Sequence, residues 1–555
     1  MKERRLFDVQ MQIKQSPSPM RTLRITLAGF CVAVVAASAQ TTDSITNSLT
    51  LEECIQTALQ HNFDVQIKRY NPEIARYNLN SSYGGYDPTF SFSGEHDYSL
   101  SPGGIDAQGR PFGGTSSETD RLSTGLRGLL PWGLTYDLGG SLGDRTGTQL
   151  GFVPDPNNPT TIVTNSFVDI NTGNTISFRS TNFNSISARV PSQEVTSGNV
   201  GVLQLRQPVL KNFWIDSTRL TIVLDKRNLK ISDLDLRSQI MTTVSLVEEA
   251  YYNLIFAEEN VKVQTAARDL AKRLLEENKT KVRIGAMAPL DEKQAESQVA
   301  SSEADLLAAL GTRDTQQRLL KNLLSDDYSK WADVVVKPTE ALQAVPQSFN
   351  KQASWEKGLN MRPDLRQAKL SLEKQGYIVR FQRNQLFPQL DLFGNYGFSG
   401  SAREYSGALD QFRRGSSPFY SAGAEVSIPL GNTGSRNNYK AAKAAKEQLA
   451  LQLKQLEQTV LVQIENAIAV AMTSFERVKA TKNASEFAEA ALDAEQKKLQ
   501  NGKSTSFQVL QLQKDLTAAR SSEIRARADY NIALTGLAGA EGTTLERRKI
   551  TLDVK

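Results

Sequence analysis

Two stretches of this chain, from about Ser217 to Val282 and from about Arg436 to Gln500, contain neither proline nor glycine. Proline breaks a helix interior and glycine weakens one, so each stretch reads as a single helix. In the second, Leu449, Leu453, Leu456, Val460, Ile464, Ala467, Ala471, Phe475 and Val478 recur at steps of three and four. In the first, Leu220, Leu224, Ile231, Leu234, Ile240, Val244, Val247, Tyr251 and Leu254 behave similarly. Such spacing makes a coiled-coil-like seam. At 1.5 Å per residue each helix spans about 100 Å, longer than a compact globular core uses. Each tract ends near a glycine, Gly285 or Gly502, and a second helical stretch follows, Asp291 to Leu324 and Phe507 to Leu537. An offset of 217 carries Gly285 to Gly502 and Gln294 to Gln511, so two helical hairpins are expected.

The region before each hairpin repeats as well. Leu59, Asp64, Glu73, Tyr77, Pro88 and Gly94 recur at an offset of 300 as Leu359, Asp364, Glu373, Tyr377, Pro388 and Gly394. Each copy reads as an apolar-striped helix, a proline and a short alternating strand holding Phe90 and Phe92 in one copy and Leu390 and Leu392 in the other. A second pair of strands matches Gly201–Pro208 to Ala422–Pro429, with Leu203 and Leu205 corresponding to Ala424 and Val426. Period two with unlike faces describes a strand between two different media; a sandwich strand with one wet face has the same pattern. The chain therefore divides into residues 48–340 (helix, strand, insertion, strand, helix pair), residues 341–540 (the same unit without the insertion) and a tail, 541–555. The insertion, about 100–198, is rich in Gly, Ser, Thr and Asn, and within it Leu126–Leu130 and Leu134–Leu142 flank Pro131-Trp132-Gly133 as a candidate extra hairpin.

Arg21 and Arg24 precede an apolar run, Ile25 to Ala37, closed by Ala37-Ser38-Ala39 before Gln40. This is the pattern of a secretory signal peptide, residues 1–39, with Met20 a second candidate start. Phe30 before Cys31 disfavours a lipoprotein, and Cys54 is then a lone cysteine, read as a small buried apolar residue. Most of the net charge of +5 lies in residues 1–39. The nearly neutral remainder argues against nucleic acid, and two histidines with two cysteines make a Cys/His metal site improbable. No later stretch is long and apolar enough for a membrane-spanning helix. An exported chain with alternating strands remains open to an outer-membrane β-barrel, whose strands are only about 10 residues long.

Met361-Arg362-Pro363-Asp364-Leu365, a striped helix, and Leu386-Phe387-Pro388-Gln389-Leu390 leading into a strand, with Leu49–Glu53 through Asp87-Pro88 as the first copy, resemble the TolC-like outer membrane efflux family over about 48–540, the insertion aside. The resemblance implies a mainly α fold with a membrane β-barrel: a homotrimer in which long helices form a periplasmic tunnel and four strands per subunit build a twelve-stranded barrel. It implies a passive export duct of a tripartite efflux or type I secretion system, opened by a periplasmic adaptor and an inner-membrane transporter, with outer-membrane lipid around the barrel. Phe90, Phe92, Leu203, Leu205, Leu390, Leu392, Ala424 and Val426 become lipid-facing candidates, and the insertion an extracellular segment. Four strands cannot close a barrel alone, and open edges in lipid would leave backbone groups unpaired.

In that family the hairpin turns form the periplasmic tip and gate. The matching residues here are Gly285 and Asp291 at the first turn and Gly502, Lys503, Ser504, Gln508 and Gln511 at the second. Drug-efflux relatives carry aspartates where Gln508 and Gln511 stand and an arginine where Ser504 stands, so the familiar charged gate is altered. An exposed helical face without a gating role is the alternative reading of the two glutamines. His61 and His96 lack paired ligands, Gly397–Gly400 is no nucleophile elbow, and no Gly-rich Lys-Ser/Thr loop exists, so neither enzyme nor cofactor is indicated. A pore-less periplasmic coiled-coil protein would explain the helices but not the paired strands. The scarcity of His and Met argues against metal cargo.

Overall fold

The computed structural model describes residues 46–551 apart from 106–108, 110, 171 and 193. The signal peptide expected over 1–39 therefore lies outside the described residues.

The chain opens with β1 (Thr46–Leu49), α1 (Leu51–His61) and α2 (Phe63–Tyr83). Thr50 caps α1 in a reciprocal capping box with Glu53, satisfying two otherwise orphaned N–H groups. Next come β2 (Thr89–Ser101), the short β3 (Gly104–Ile105) and β4 (Pro111–Phe112), then β5 (Thr115–Leu129), β6 (Thr135–Pro154), β7 (Thr160–Val168), β8 (Thr175–Phe183), β9 (Ser185–Pro191) and β10 (Val195–Pro208). The first helical hairpin is α3 (Ser217–Arg283) with α4 (Pro289–Leu324), and α5 (Tyr328–Trp331) and β11 (Val335–Pro338) lead into the second repeat. That repeat holds α6 (Lys351–Met361), α7 (Pro363–Asn384), β12 (Gln389–Ala402), α8 (Tyr405–Arg414), β13 (Pro418–Ser427), α9 (Thr433–Gln500) and α10 (Ser506–Glu541), and α11 (Thr544–Arg547) closes the chain.

The helices fall at the same intervals as the residues. α1 and α6 begin and end 300 residues apart, and α4 and α10 are 217 apart. α3 and α9, of 67 and 68 residues, are each about 100 Å long. β1 and β11 pair in parallel, so the first and middle parts of the chain meet at one level of the helical body. The buried Tyr251 sits beneath them, its hydroxyl donating to Leu49 O (3.1 Å) and accepting from Thr339 N (3.3 Å). The main core lies at that level: Leu51, Cys54 and Ile55 of α1 pack with Val244, Val247 and Leu254 of α3 and Leu320 and Leu324 of α4. A matching core on the second repeat joins Leu365 of α7 to Val460 and Ile464 of α9.

The sheet differs from expectation in its strand count. The four expected strands are all present, β2, β10, β12 and β13, but the continuous antiparallel path runs β13-β12-β10-β6-β5-β2, with β9 paired to the far end of β6. The count per chain is six rather than four because the candidate hairpin of the insertion enters the sheet between β2 and β10. Its turn, Leu130–Leu134, is closed by hydrogen bonds between Leu130 and Leu134 and between Gly133 and Leu130 (both 2.8 Å). Gly133 adopts a left-handed φ of 92° and lies so close to the Arg219 guanidinium that a Cβ would clash. The turn thus sits at the helical end of the sheet, beside the start of α3. The short gap of the second repeat also holds more than a loop: α8 folds back on β12, burying Ala408.

Candidate functional site

Two regions carry the surfaces on which a duct would depend: the sheet and the hairpin tip. In an antiparallel sheet directly paired residues share a face. One row across all six strands reads Phe90, Leu126, Leu138, Leu203, Tyr396 and Tyr420. Following the register by twos puts Phe92, Leu205, Leu390, Leu392, Ala424 and Val426 on that same face, so all eight sequence candidates share it. Phe90, Phe92, Leu392 and Val426 are exposed. A bulge in β10 between Val200 and Leu203, with Gly201 at a left-handed φ of 65°, brings Val200 back to this face.

The opposite face is polar. Arg206 of β10 donates through Nε to Asp391 of β12 (2.6 Å) and through Nη2 to Glu425 of β13 (2.6 Å), and Arg127 of β5 pairs with Asp137 of β6 (3.0 Å). Ser91, Ser123, Ser141 and Asn395 fill positions between these pairs. The two faces are unlike enough that a one-residue slip of any strand would exchange them, which fixes the register.

At the tip, both long helices end in the same motif. Gly285 has φ 78° and Gly502 φ 67°. Ala286 N donates to Lys281 O and Gly285 N to Val282 O, and Lys503 N to Lys498 O and Gly502 N to Leu499 O. These are paired Schellman caps, in which only glycine takes the left-handed position without a Cβ penalty. Pro289 then starts α4, where its missing N–H costs nothing, and Thr505 caps α10 by accepting from Gln508 N (3.4 Å). Gln508 and Gln511 lie exposed on α10, and Gln511 Nε2 donates to Asp515 (3.0 Å). Ser504 donates to Glu495 (2.6 Å), which also receives Lys498 Nζ (2.8 Å). Those two donors, Lys498 first, hold the Glu495 carboxyl below the usual carboxylate range. Lys503 is exposed and Asp291 half-buried, in the first turn of α4.

Sequence reasoning missed the residue that joins the two hairpins there. Asn278 of α3 is fully buried, and its Nδ2 donates to Asp291 O (3.3 Å) and to Ser506 Oγ of α10 (2.6 Å). It belongs to a polar seam along α3 and α10: Asn253 meets Arg525 (3.1 Å), Asn260 meets Ser521 (2.7 Å), and Gln264 meets Ser521 (3.5 Å). The intervals between these α3 positions, seven, four and fourteen residues, keep one helix face, a signal available in the sequence had polar as well as apolar periodicity been followed.

Of the remaining singled-out residues, His61 pairs with Asp326 (2.9 Å), His96 pairs with Asp120 (2.7 Å), and Cys54 is buried and free. No helix among the described residues is long and apolar enough to cross a membrane.

An open sheet with one apolar and one polar face, carried on two coiled helical hairpins of about 100 Å, has the build of one protomer of an outer-membrane channel. The chain belongs to the outer membrane efflux protein family, whose profile matches residues 179–325 and 356–543. Among named relatives it is 26% identical over 323 residues to the pyoverdine export outer membrane protein OpmQ of Pseudomonas aeruginosa, covering 57% of this chain and 64% of OpmQ. It is 24% identical over 343 residues to the outer membrane protein TolC of Escherichia coli, covering 60% and 68%. The match thus spans slightly less than two thirds of OpmQ. In fold it resembles the Campylobacter jejuni CmeC outer membrane channel, with a TM-score of 0.59, 17% identity, and 96% and 98% of the two chains covered.

Proposed function

We propose that this chain is the outer-membrane duct of a tripartite exporter. Three copies close a barrel in the outer membrane, and their helical hairpins form a tunnel through the periplasm. A periplasmic adaptor and an inner-membrane transporter deliver cargo and open the tip. The observation that carries this reading is the union, in one chain, of an amphipathic sheet with two free edges and helices long enough to reach far from a membrane. An open sheet edge is not tolerated in lipid, so the sheet must close with other copies. The eight candidates then face lipid, and the Arg206 and Arg127 ion pairs face a wet lumen, where charge is well solvated.

In this reading the duct is passive, and the polar face offers charged and hydroxyl groups to passing cargo. Gln508 and Gln511 near the tip offer amides, which hydrogen-bond without charge. Heat-resistant trimers in detergent together with conductance in planar bilayers are expected. Purified, folded protein that remains monomeric and conducts no current would overturn the reading.

A further inference from the structure

We propose that the β5–β6 hairpin is a pair of membrane staves, so that the trimer proposed above closes as an eighteen-stranded barrel. Three observations on the sheet carry this. First, the hairpin is inserted between β2 and β10 rather than appended, and β2 has no contact with β10 in the sheet path. Second, its strands run the height of the sheet: β5 pairs with β2 from Thr89↔Arg127 to Ser101↔Thr115, and its turn lies at the helical end. Third, its faces obey those of its neighbours. From the turn up to the Leu122–Leu142 row, Leu122, Leu126, Leu138 and Leu142 lie on the apolar face, and Arg121, Arg127 and Asp137 on the polar one; beyond that row Asp120 and Asp144, with His96 of β2, take the leucines' face, which places them above the lipid. A polar loop lying outside the membrane has no reason to keep that alternation in register with four other strands.

The hairpin also lies outside the residues matched by the family profile. The free edges are β2 and β13, which run in opposite directions because an even number of antiparallel strands separates them. The β13 edge of one copy can thus pair antiparallel with the β2 edge of the next, and the occupant of each edge is a second copy of this chain. For strands about 4.8 Å apart and tilted about 40°, twelve strands enclose a backbone ring about 24 Å across and eighteen one about 36 Å across. The cross-section of the barrel rises just over twofold, which admits bulkier cargo at the outer membrane than a twelve-stranded barrel of the same tilt.

The test uses cysteine pairs on the polar face of the full-length chain. In the six-stranded sheet Ser93 lies opposite Ser123, and Ser141 lies opposite Asn199. Ser93 and Asn199 are then three strand spacings apart, about 14 Å, beyond the roughly 7 Å between Cα atoms that a disulfide spans. Oxidised trimers carrying Ser93→Cys with Ser123→Cys, or Ser141→Cys with Asn199→Cys, are expected to yield the linked peptides by mass spectrometry. Ser93→Cys with Asn199→Cys is expected to stay reduced. The reverse pattern in assembled trimers would show β2 pairing directly with β10, which sinks the eighteen-stranded barrel while leaving the trimeric duct standing. Absence of trimers from the unsubstituted protein would instead sink the duct. Hydrogen exchange on the unsubstituted trimer needs no substitution: amides of residues 117–128 and 136–146 should exchange as slowly as those of β12. Exchange there at loop-like rates overturns the proposal.

Discussion

Besides the packing of Leu545 into the core, the last helical turn is tied to the body by a buried ion pair, and its removal has a calculable consequence. Glu248 of α3 is 1% exposed. Its Oε1 accepts from Arg548 Nε at 2.5 Å, and its Oε2 accepts from the Thr535 hydroxyl of α10. Burial works against the charge on Arg548, but the hydrogen bond and charge of Glu248 outweigh it, so the guanidinium is held above its ordinary range. Arg548→Ala would leave the carboxylate buried with a single hydroxyl donor. Breaking a buried pair in this way costs roughly 3–5 kcal/mol. The Arg548 side chain is 20% exposed, so water can enter and the low end applies, about 3 kcal/mol, or a factor of about 100 in local opening. Hydrogen exchange of the amides of Arg548, Lys549 and Ile550, which are bonded to Thr544, Glu546 and Leu545, should accelerate by about that factor. The double change Glu248→Leu with Arg548→Met should recover most of the protection, because an apolar pair leaves no charge stranded. Unchanged exchange in Arg548→Ala, or a double variant worse than the single one, would refute the argument.

Further outcomes are expected elsewhere. Phe92→Lys and Leu392→Lys should each lower the yield of heat-resistant trimers, since a lysine facing mid-bilayer costs about 2–4 kcal/mol; normal trimer yield from both would mean the apolar face is not in lipid. Burial, and then the neighbouring Glu53, push the Cys54 thiol up to about 12, so maleimide should label it at pH 8 only after unfolding. At the tip the Glu495 value is lowered in the folded state, so its ties to Lys498 and Ser504 contribute above the unfolded value of about 4.3 and are lost as pH falls through the lowered one. A spin label at Lys503→Cys should therefore keep its mobility from neutral pH down through the unfolded carboxylate range and loosen only as pH falls further, with Glu495→Gln abolishing the step. Finally, Gln508→Asp with Gln511→Asp should shift the reversal potential in a salt gradient toward cation preference, because charges in a narrow constriction add their fields; an unchanged potential would place these residues off the constriction.

Much of this architecture was legible in the chain because it is periodic. The absence of glycine and proline fixed two helices of about 100 Å, the 300-residue offset fixed the matching of α1 with α6, and period two fixed which of Phe90, Leu203, Leu390 and Val426 would share a face. Gly285 and Gly502 marked the turns because a left-handed residue at a helix end is a local requirement. What the sequence could not determine is who pairs with whom. The strands β5 and β6 alternate more weakly, with Gly125, Gly139, Gly140 and Gly143 thinning both faces, and whether such a hairpin extends the sheet or loops beyond it depends on its neighbours. Likewise Asn278, ordinary in a helical tract, becomes the link between two hairpins only when Ser506, 228 residues away, is brought to 2.6 Å. Local periods are set by backbone geometry and are written in consecutive residues. Strand order and buried polar partners are set by packing between segments far apart in the chain, and only the tertiary structure decided them.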